Sequence, residues 1–188
     1  MKKKVGFQLP LVIEFASSAV NKIESLINKS INNEFGGVFC LDVNNKLYLE
    51  SIVKGGAEGI DSFPDKCEEG NRRVGTFHTH PKFDPDGELS VERISMSDYN
   101  FHESSDDSIT CIGHASTKRL TCMVSGARSD KEKKDLEYLI SELGEAEVDF
   151  HMLRDLTRKE ADEEIRKEGH YDKINKYYNW LNVDLSED

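Results

Sequence analysis

The chain has 188 residues, with 25 Lys and Arg against 36 Asp and Glu and a formal charge of −11. That length fits one ordinary domain or two small ones and is enough to bury a core without staples. The acidic balance excludes unguided binding to a nucleic-acid backbone, since no run of Lys and Arg beyond Lys2–Lys4 supplies a basic surface, and no stretch approaches the roughly 20 apolar residues of a membrane span.

Lys2–Lys4 precede a mildly apolar run that Gln8, Pro10 and Glu14 interrupt, so it reads as mature protein rather than a signal peptide. Leu11, Ile13, Phe15, Ala16, Val20, Ile23, Leu26 and Ile27 form a helical stripe that predicts a helix over 11–29, ended at Asn32-Asn33. Residues 36–42 and 46–54 read as two strands joined by a turn at Asn44-Asn45. Residues 55–70 read as loop, and Val74 to His80 as a short strand closed by Pro81. Residues 82–94 are polar and carry the turn sequence Asp84-Pro85-Asp86-Gly87. A helix is expected within 95–104, and strands over 108–113 and 120–124.

The character changes near Ser129. Leu136, Leu139, Ile140 and Leu143 have helical spacing, with Gly144 as the expected stop. Val148, Met152, Leu153 and Leu156 repeat the pattern, and so do Ile174, Tyr177, Tyr178 and Leu181. The reading is an α+β sandwich over 1–128, followed by an amphipathic helical extension over 129–188. The apolar stripes of that extension can cover the sheet, pair as a helical hairpin or join two copies in a homodimer. The four cysteines, Cys40, Cys67, Cys111 and Cys122, form no C-x-x-C pair, which argues against a thiolate zinc knuckle. With no secretion signal, they are expected to be reduced thiols in a cytoplasmic protein, Cys111 and Cys122 being small core residues.

Three short elements carry chemistry. His78 and His80 are two residues apart, and on an extended segment such residues share a face. Two neutral imidazoles on one face suit Zn²⁺, although a bare His-x-His is also what a solvated strand end looks like. Ser95 stands three residues before Asp98, which reads as an N-cap with a carboxylate at N3. A capped first turn is also a rigid mount for an oxygen ligand. Two histidines and one carboxylate leave a fourth zinc position for water, the arrangement of a catalytic site. Glu34, between a helix and the strand starting at Gly36, is a surface carboxylate when taken alone. It becomes a candidate general base if that strand lies beside His78 and His80.

In combination, Glu34-Phe-Gly-Gly37, then Val74-Gly-Thr-Phe-His-Thr-His-Pro81, then Ser95-Met-Ser-Asp98 resemble the JAMM/MPN-plus metalloprotease family over about residues 10–126. The resemblance implies a JAB/MPN, cytidine-deaminase-like core holding a catalytic Zn²⁺. It implies His78, His80 and Asp98 as ligands, Glu34 as general acid/base, and Ser95 as a donor to the tetrahedral oxyanion. It also implies hydrolysis of an isopeptide or peptide bond after the Gly-Gly tail of ubiquitin or a ubiquitin-like protein, with E1- and E2-like enzymes as operon partners. One departure stands out. From His80 to Asp98 is 98 − 80 = 18 positions, about seven more than is usual in that family. The extra length falls in 82–94, where Asp84, Asp86, Glu88 and Glu92 compete with Asp98 as third ligand. Asp98 is favoured because Ser95 precedes it by three, whereas Ser90 is followed three later by Arg93, which cannot ligate.

The remaining histidines read more plainly. His102, four residues after Asp98, is either a surface residue or one that reaches the metal edge. His114 reads as structural, and His151 and His170 as solvated. Two further functions stand beside the isopeptidase. One is a zinc hydrolase of the same fold acting on a cell-wall or phage-tail peptide, and the other is a metal-free MPN scaffold.

Overall fold

The computed structural model describes residues 9, 12–57, 59–64, 66–83, 94–105 and 107–186. Strands β2 (Phe35–Leu41) and β3 (Lys46–Lys54) form an antiparallel hairpin. Its turn closes at Asn45, where φ is 63°, a left-handed conformation that asparagine tolerates. Asp42 Oδ1 accepts the N–H groups of Asn44 and Lys46 at 2.8 Å each. Strand β4 (Arg72–His80) lies antiparallel to β2 and parallel to β5 (Ile109–His114). A parallel pair needs a crossover, and helix α2 (Met96–Ser104) lies in the segment that supplies it. β6 (Arg119–Val124) returns beside β5. The short β1 (Glu14–Phe15) adds to one edge, β7 (Asn179–Asp184) adds to the other, and the order is β1-β3-β2-β4-β5-β6-β7.

The strand period of two divides the side chains between two cores. Phe39, Phe77, Ile109, Cys111 and Leu120 face helix α1 (Ser17–Lys29), which buries Ala19, Ile23, Leu26 and Ile27 against them. Ile112 and Met123 face the other way. There Tyr99 of α2 packs with Leu136, Ile140 and Leu143 of α3 (Asp130–Val148), with Ala161 and Ile165 of α4 (Arg158–Lys167), and with Tyr171 and Ile174 of α5 (His170–Asn175). The chain is therefore mixed α+β, a sheet with helices on both faces. β2, β4 and β5 are buried along almost their whole length, as central strands covered on both sides must be. Among the described residues no helix is long and apolar enough to cross a membrane.

Several sequence expectations need correction. The first helix starts at Ser17, not at 11, because the backbone before it serves the edge of β3: Glu14 and Ala16 donate to the carbonyls of Asn45 and Leu47. Leu11 lies outside the described residues, as do Lys2–Lys4, the turn Asp84–Gly87 and the rival carboxylates Asp84, Asp86, Glu88 and Glu92. Gly144 does not stop α3, which runs on to Val148. A Cβ at 144 would stand 3.4 Å from Met96 Sδ, so the glycine marks a close approach of α2. The stripe Val148–Leu156 is not one helix. A π-turn spans Asp149–Leu153, it buries Phe150, and Thr157 caps a new helix. The helical pattern read over Tyr177–Leu181 is also wrong. α5 ends at Asn175, and 179–184 form β7, whose backbone meets the hydrogen-bonding demand of the β6 edge.

The cysteines are not thiols. Cys111 and Cys122 lie opposite one another on β5 and β6, with Cα atoms 4.0 Å apart, and are joined as a disulfide. Cys40 of β2 is bonded to Cys67, 27 residues away. The loop before β4 brings Cys67 there by folding back along β3. Glu68 N–H and Asn71 Nδ2 donate to the two carboxylate oxygens of Glu50, at 2.7 and 3.1 Å, and Ser51 Oγ donates to Lys66 O. Two disulfides are what an oxidising compartment favours. Protein purified without reductant and then denatured should show none of its four cysteines as a free thiol in an Ellman titration. Four titratable thiols would contradict the pairing. Cys67→Ser should lower the unfolding free energy by about 3–4 kcal/mol, the cost expected for opening a loop of that length.

Candidate metal centre

His78 and His80 project from the β4 face that lies beneath α2. Thr79 between them points to the other face, where its hydroxyl donates to Ser30 Oγ at 2.7 Å. Across from β4, Ser95 opens α2. Its Oγ accepts Asp98 N–H at 3.4 Å, and both its own N–H and its Oγ–H donate to Asp98 Oδ2, at 2.6 and 2.9 Å. This is a full capping box, and it fixes the carboxylate toward the sheet. Asp98 Oδ1 lies 2.8 Å from His78 Nε2, and Asp98 Oδ2 lies 3.5 Å from His80 Nε2. All three residues are buried, at 8%, 8% and 4% exposure, and each offers a ligand atom within 4.8 Å of the others.

Glu34 reaches the same place by strand register. Gly36 pairs with His78, so Glu34, two residues earlier, falls level with His80 on the same face. Its backbone is held on both sides, since Glu34 N–H donates to Gly56 O at 2.8 Å and Gly55 N–H donates to Glu34 O at 2.9 Å. Gly36 makes this possible. A Cβ there would come within 2.6–2.7 Å of Ile60, Phe63 and the Phe77 carbonyl, so only glycine lets the 55–70 loop close over the strand. The resulting cleft, of about 460 Å³, is lined by Glu34, His78, His80, Ser95 and Asp98 together with Ile60, Phe63 and Phe101.

The electrostatics follow from burial and pairing. Burial raises the Glu34 carboxyl above its usual value, although both histidines pull the other way. Burial alone would lower His78, but the hydrogen bond and charge of Asp98 outweigh it and raise the imidazole. Burial opposes ionisation of Asp98 as well. The His80 charge and the bonds from both rings overcome it and hold the carboxyl well below the usual range.

The donor set fits a zinc-type ion: two imidazoles and one carboxylate, converging and buried. The other ring nitrogen of His80, Nδ1, is buried with no hydrogen-bond partner among the described residues. Among the described residues, Asp98 is the carboxylate that groups with the two histidines; the rivals Asp84, Asp86, Glu88 and Glu92 lie outside them.

His102 is neither a surface residue nor at the metal edge. It is 1% exposed, with Nδ1 2.7 Å from Thr110 Oγ1 and Nε2 against Ser125 Oγ. Burial pushes its pKa down to about 4. His114 is buried, its ring 5.3 Å from that of His80. His151 is half-buried, with Nδ1 2.7 Å from Leu156 O, and His170 is half-buried beside Glu168. Sequence reasoning missed Arg166. Its guanidinium pairs with Asp162 at 2.8 Å, stacks over Tyr171 and donates to Ile94 O at 2.7 Å, tying the tail to the segment that enters α2. The Asp162–Arg166 spacing of four is legible as a helix pair, but its target is not. No protein-family model matches the chain.

If Ser95 steadies the ligand carboxylate, Ser95→Ala should weaken zinc affinity about 10–100-fold, as losses of a ligand's hydrogen-bond support typically do. Competition with a chromogenic chelator measures this, Ser95→Thr should restore most of it, and an unchanged affinity in the alanine variant would refute the role.

Proposed function

We propose that this protein is a zinc-dependent peptidase or isopeptidase of the JAMM/MPN-plus type, cutting the bond after the C-terminal tail of a ubiquitin-like protein. The observation that carries the proposal is the convergence of Glu34 on the buried His78–His80–Asp98 set in one cleft, from separate elements of the chain. The sheet order, with α1 on one face and α2 spanning β4 to β5, is compatible with a JAB/MPN core.

On this reading His78, His80 and Asp98 hold the ion. When bound, zinc polarises the scissile carbonyl and makes water more acidic. Glu34, its basicity raised by burial, takes a proton from the attacking water onto a carboxylate oxygen. It delivers that proton to the leaving nitrogen as the C–N bond breaks, and the water oxygen stays, with its second proton, in the new carboxyl group, which then ionises to solvent. Ser95 has one hydroxyl proton, directed at Asp98 Oδ2. Its backbone N–H holds the same oxygen at 2.6 Å, so the hydroxyl can turn to the developing oxyanion without releasing Asp98. Ile60, Phe63 and Phe101 keep the wall apolar, which strengthens every charge interaction in the cleft. E1- and E2-like enzymes would be this activity's partners.

A second reading keeps the chemistry and changes the substrate to a peptide met outside a reducing compartment. The two disulfides favour it, because they weaken the case for a cytoplasmic setting.

Glu34→Gln should keep its zinc and lose hydrolysis by about 10²–10⁴-fold, the usual worth of a general acid/base. The assay is release of a fluorogenic amine from the C-terminus of a Gly-Gly-tailed ubiquitin-like protein, with zinc content measured on the same sample. Wild-type turnover in the variant would remove Glu34 from the mechanism.

A further inference from the structure

α3 and the π-turn after it leave apolar side chains unburied. Val148 is 52% exposed, Met152 72% and Leu153 76%, in a tail whose other apolar stripes are mostly buried. Val148 and Leu153 line a groove of about 600 Å³ between α2 and α3. Met96 lines both this groove and the cleft that holds His78, His80 and Asp98, so the two adjoin at the start of α2. The groove's charged lining residues are all acidic, namely Glu137, Glu145 and Asp149. Asp149 is paired with Arg154 at 2.9 Å. Glu137 and Glu145 have no ion-pair partner among the described residues, and the next acid along, Glu147, lies in the cleft itself.

An apolar strip edged by unpaired carboxylates calls for a partner with an apolar contact flanked by Lys or Arg. A second copy of this chain is a poor match. A two-fold contact through this face would set Glu137 and Glu145 against their own copies, in a chain that already carries a charge of −11. We infer that the α2–α3 groove docks the protein substrate itself, through an apolar patch on that substrate ringed by basic side chains. Docking there leads the substrate's scissile segment past Met96 into the cleft. This rests on the peptidase reading for its link to turnover, but binding at the groove is testable without it.

The probe is a fluorescently labelled amphipathic helix of about 14 residues, Leu on one face and Lys on the other, compared with the same peptide carrying Glu in place of Lys. The Lys peptide should bind wild type by fluorescence anisotropy and the Glu peptide should not. Leu153→Ser, which changes no charge, should weaken binding about tenfold or more, and so should Glu137→Gln combined with Glu145→Gln. Equal binding of both peptides, absence of binding, or unchanged affinity in Leu153→Ser would overturn the proposal. Sedimentation should show a monomer; a dimer dissociated by Leu153→Ser would assign the groove to a second copy instead. If replacing Lys2, Lys3 and Lys4 with Ser tightens peptide binding, the chain's own N-terminal segment is the occupant and the proposal fails. In turnover, Leu153→Ser should raise KM for the tailed protein and leave a short tail peptide unaffected. Absence of turnover on both substrates by wild type would count against the peptidase reading, while the binding results still decide the groove.

Discussion

A carboxylate buried to 4% exposure has to be compensated, and the way Asp98 is compensated organises the site. Two donors from Ser95 hold one of its oxygens, and two imidazoles face the pair. The donors come from a helix start and the imidazoles from a strand, so the carboxylate fixes α2 against β4. Removing any one partner would leave a buried charge short of compensation, which costs far more than the net value of the contact itself. The same convergence brings three potential ligand atoms within 4.8 Å of one another.

The sheet makes that convergence achievable. β4 runs between β2 and β5, so its two histidines are flanked by a strand on either side and cannot drift. One neighbour brings Gly36 opposite His78 and thereby Glu34 beside His80, and the other brings His114 against the His80 ring. The 55–70 loop then roofs the site, tied down by Phe63 against Phe101 and by the Cys40–Cys67 bond at its far end. Arg166 braces the opposite wall by holding the Ile94 carbonyl just before the cap of α2. The C-terminal helices thus help hold Asp98 in place as well as covering the second face of the sheet.

Much of this was legible in the residues. Alternation and turn chemistry located β2, β3, β4, β5 and β6. The Ser95–Asp98 spacing identified a capping box, and the two-residue spacing of His78 and His80 gave their shared face. Those signals are local, and local physics decides them. What failed was decided at a distance. Tyr177, Tyr178 and Leu181 have helical spacing, but Tyr177 and Tyr178 fall in the turn after α5, and Leu181 lies in β7, which pairs with the edge of β6. Gly144 looks like a stop until the Met96 side chain is seen across from it. His102 reads as exposed because nothing in the sequence announces Thr110 and Ser125 as its partners. Cys40 and Cys67 are 27 residues apart, and only the folding-back of the loop along Glu50 makes them neighbours.

Whether the buried His78–His80–Asp98 set is a metal site decides the chemistry proposed for the cleft. The most direct measurement is zinc per chain by elemental analysis, made side by side on wild type and Asp98→Ala after dialysis against a weak chelator. The expected result is about one zinc per chain in wild type and far less in the variant. Wild type without zinc, even after the ion is added back, would contradict it. Full retention in Asp98→Ala would assign the third ligand to another residue.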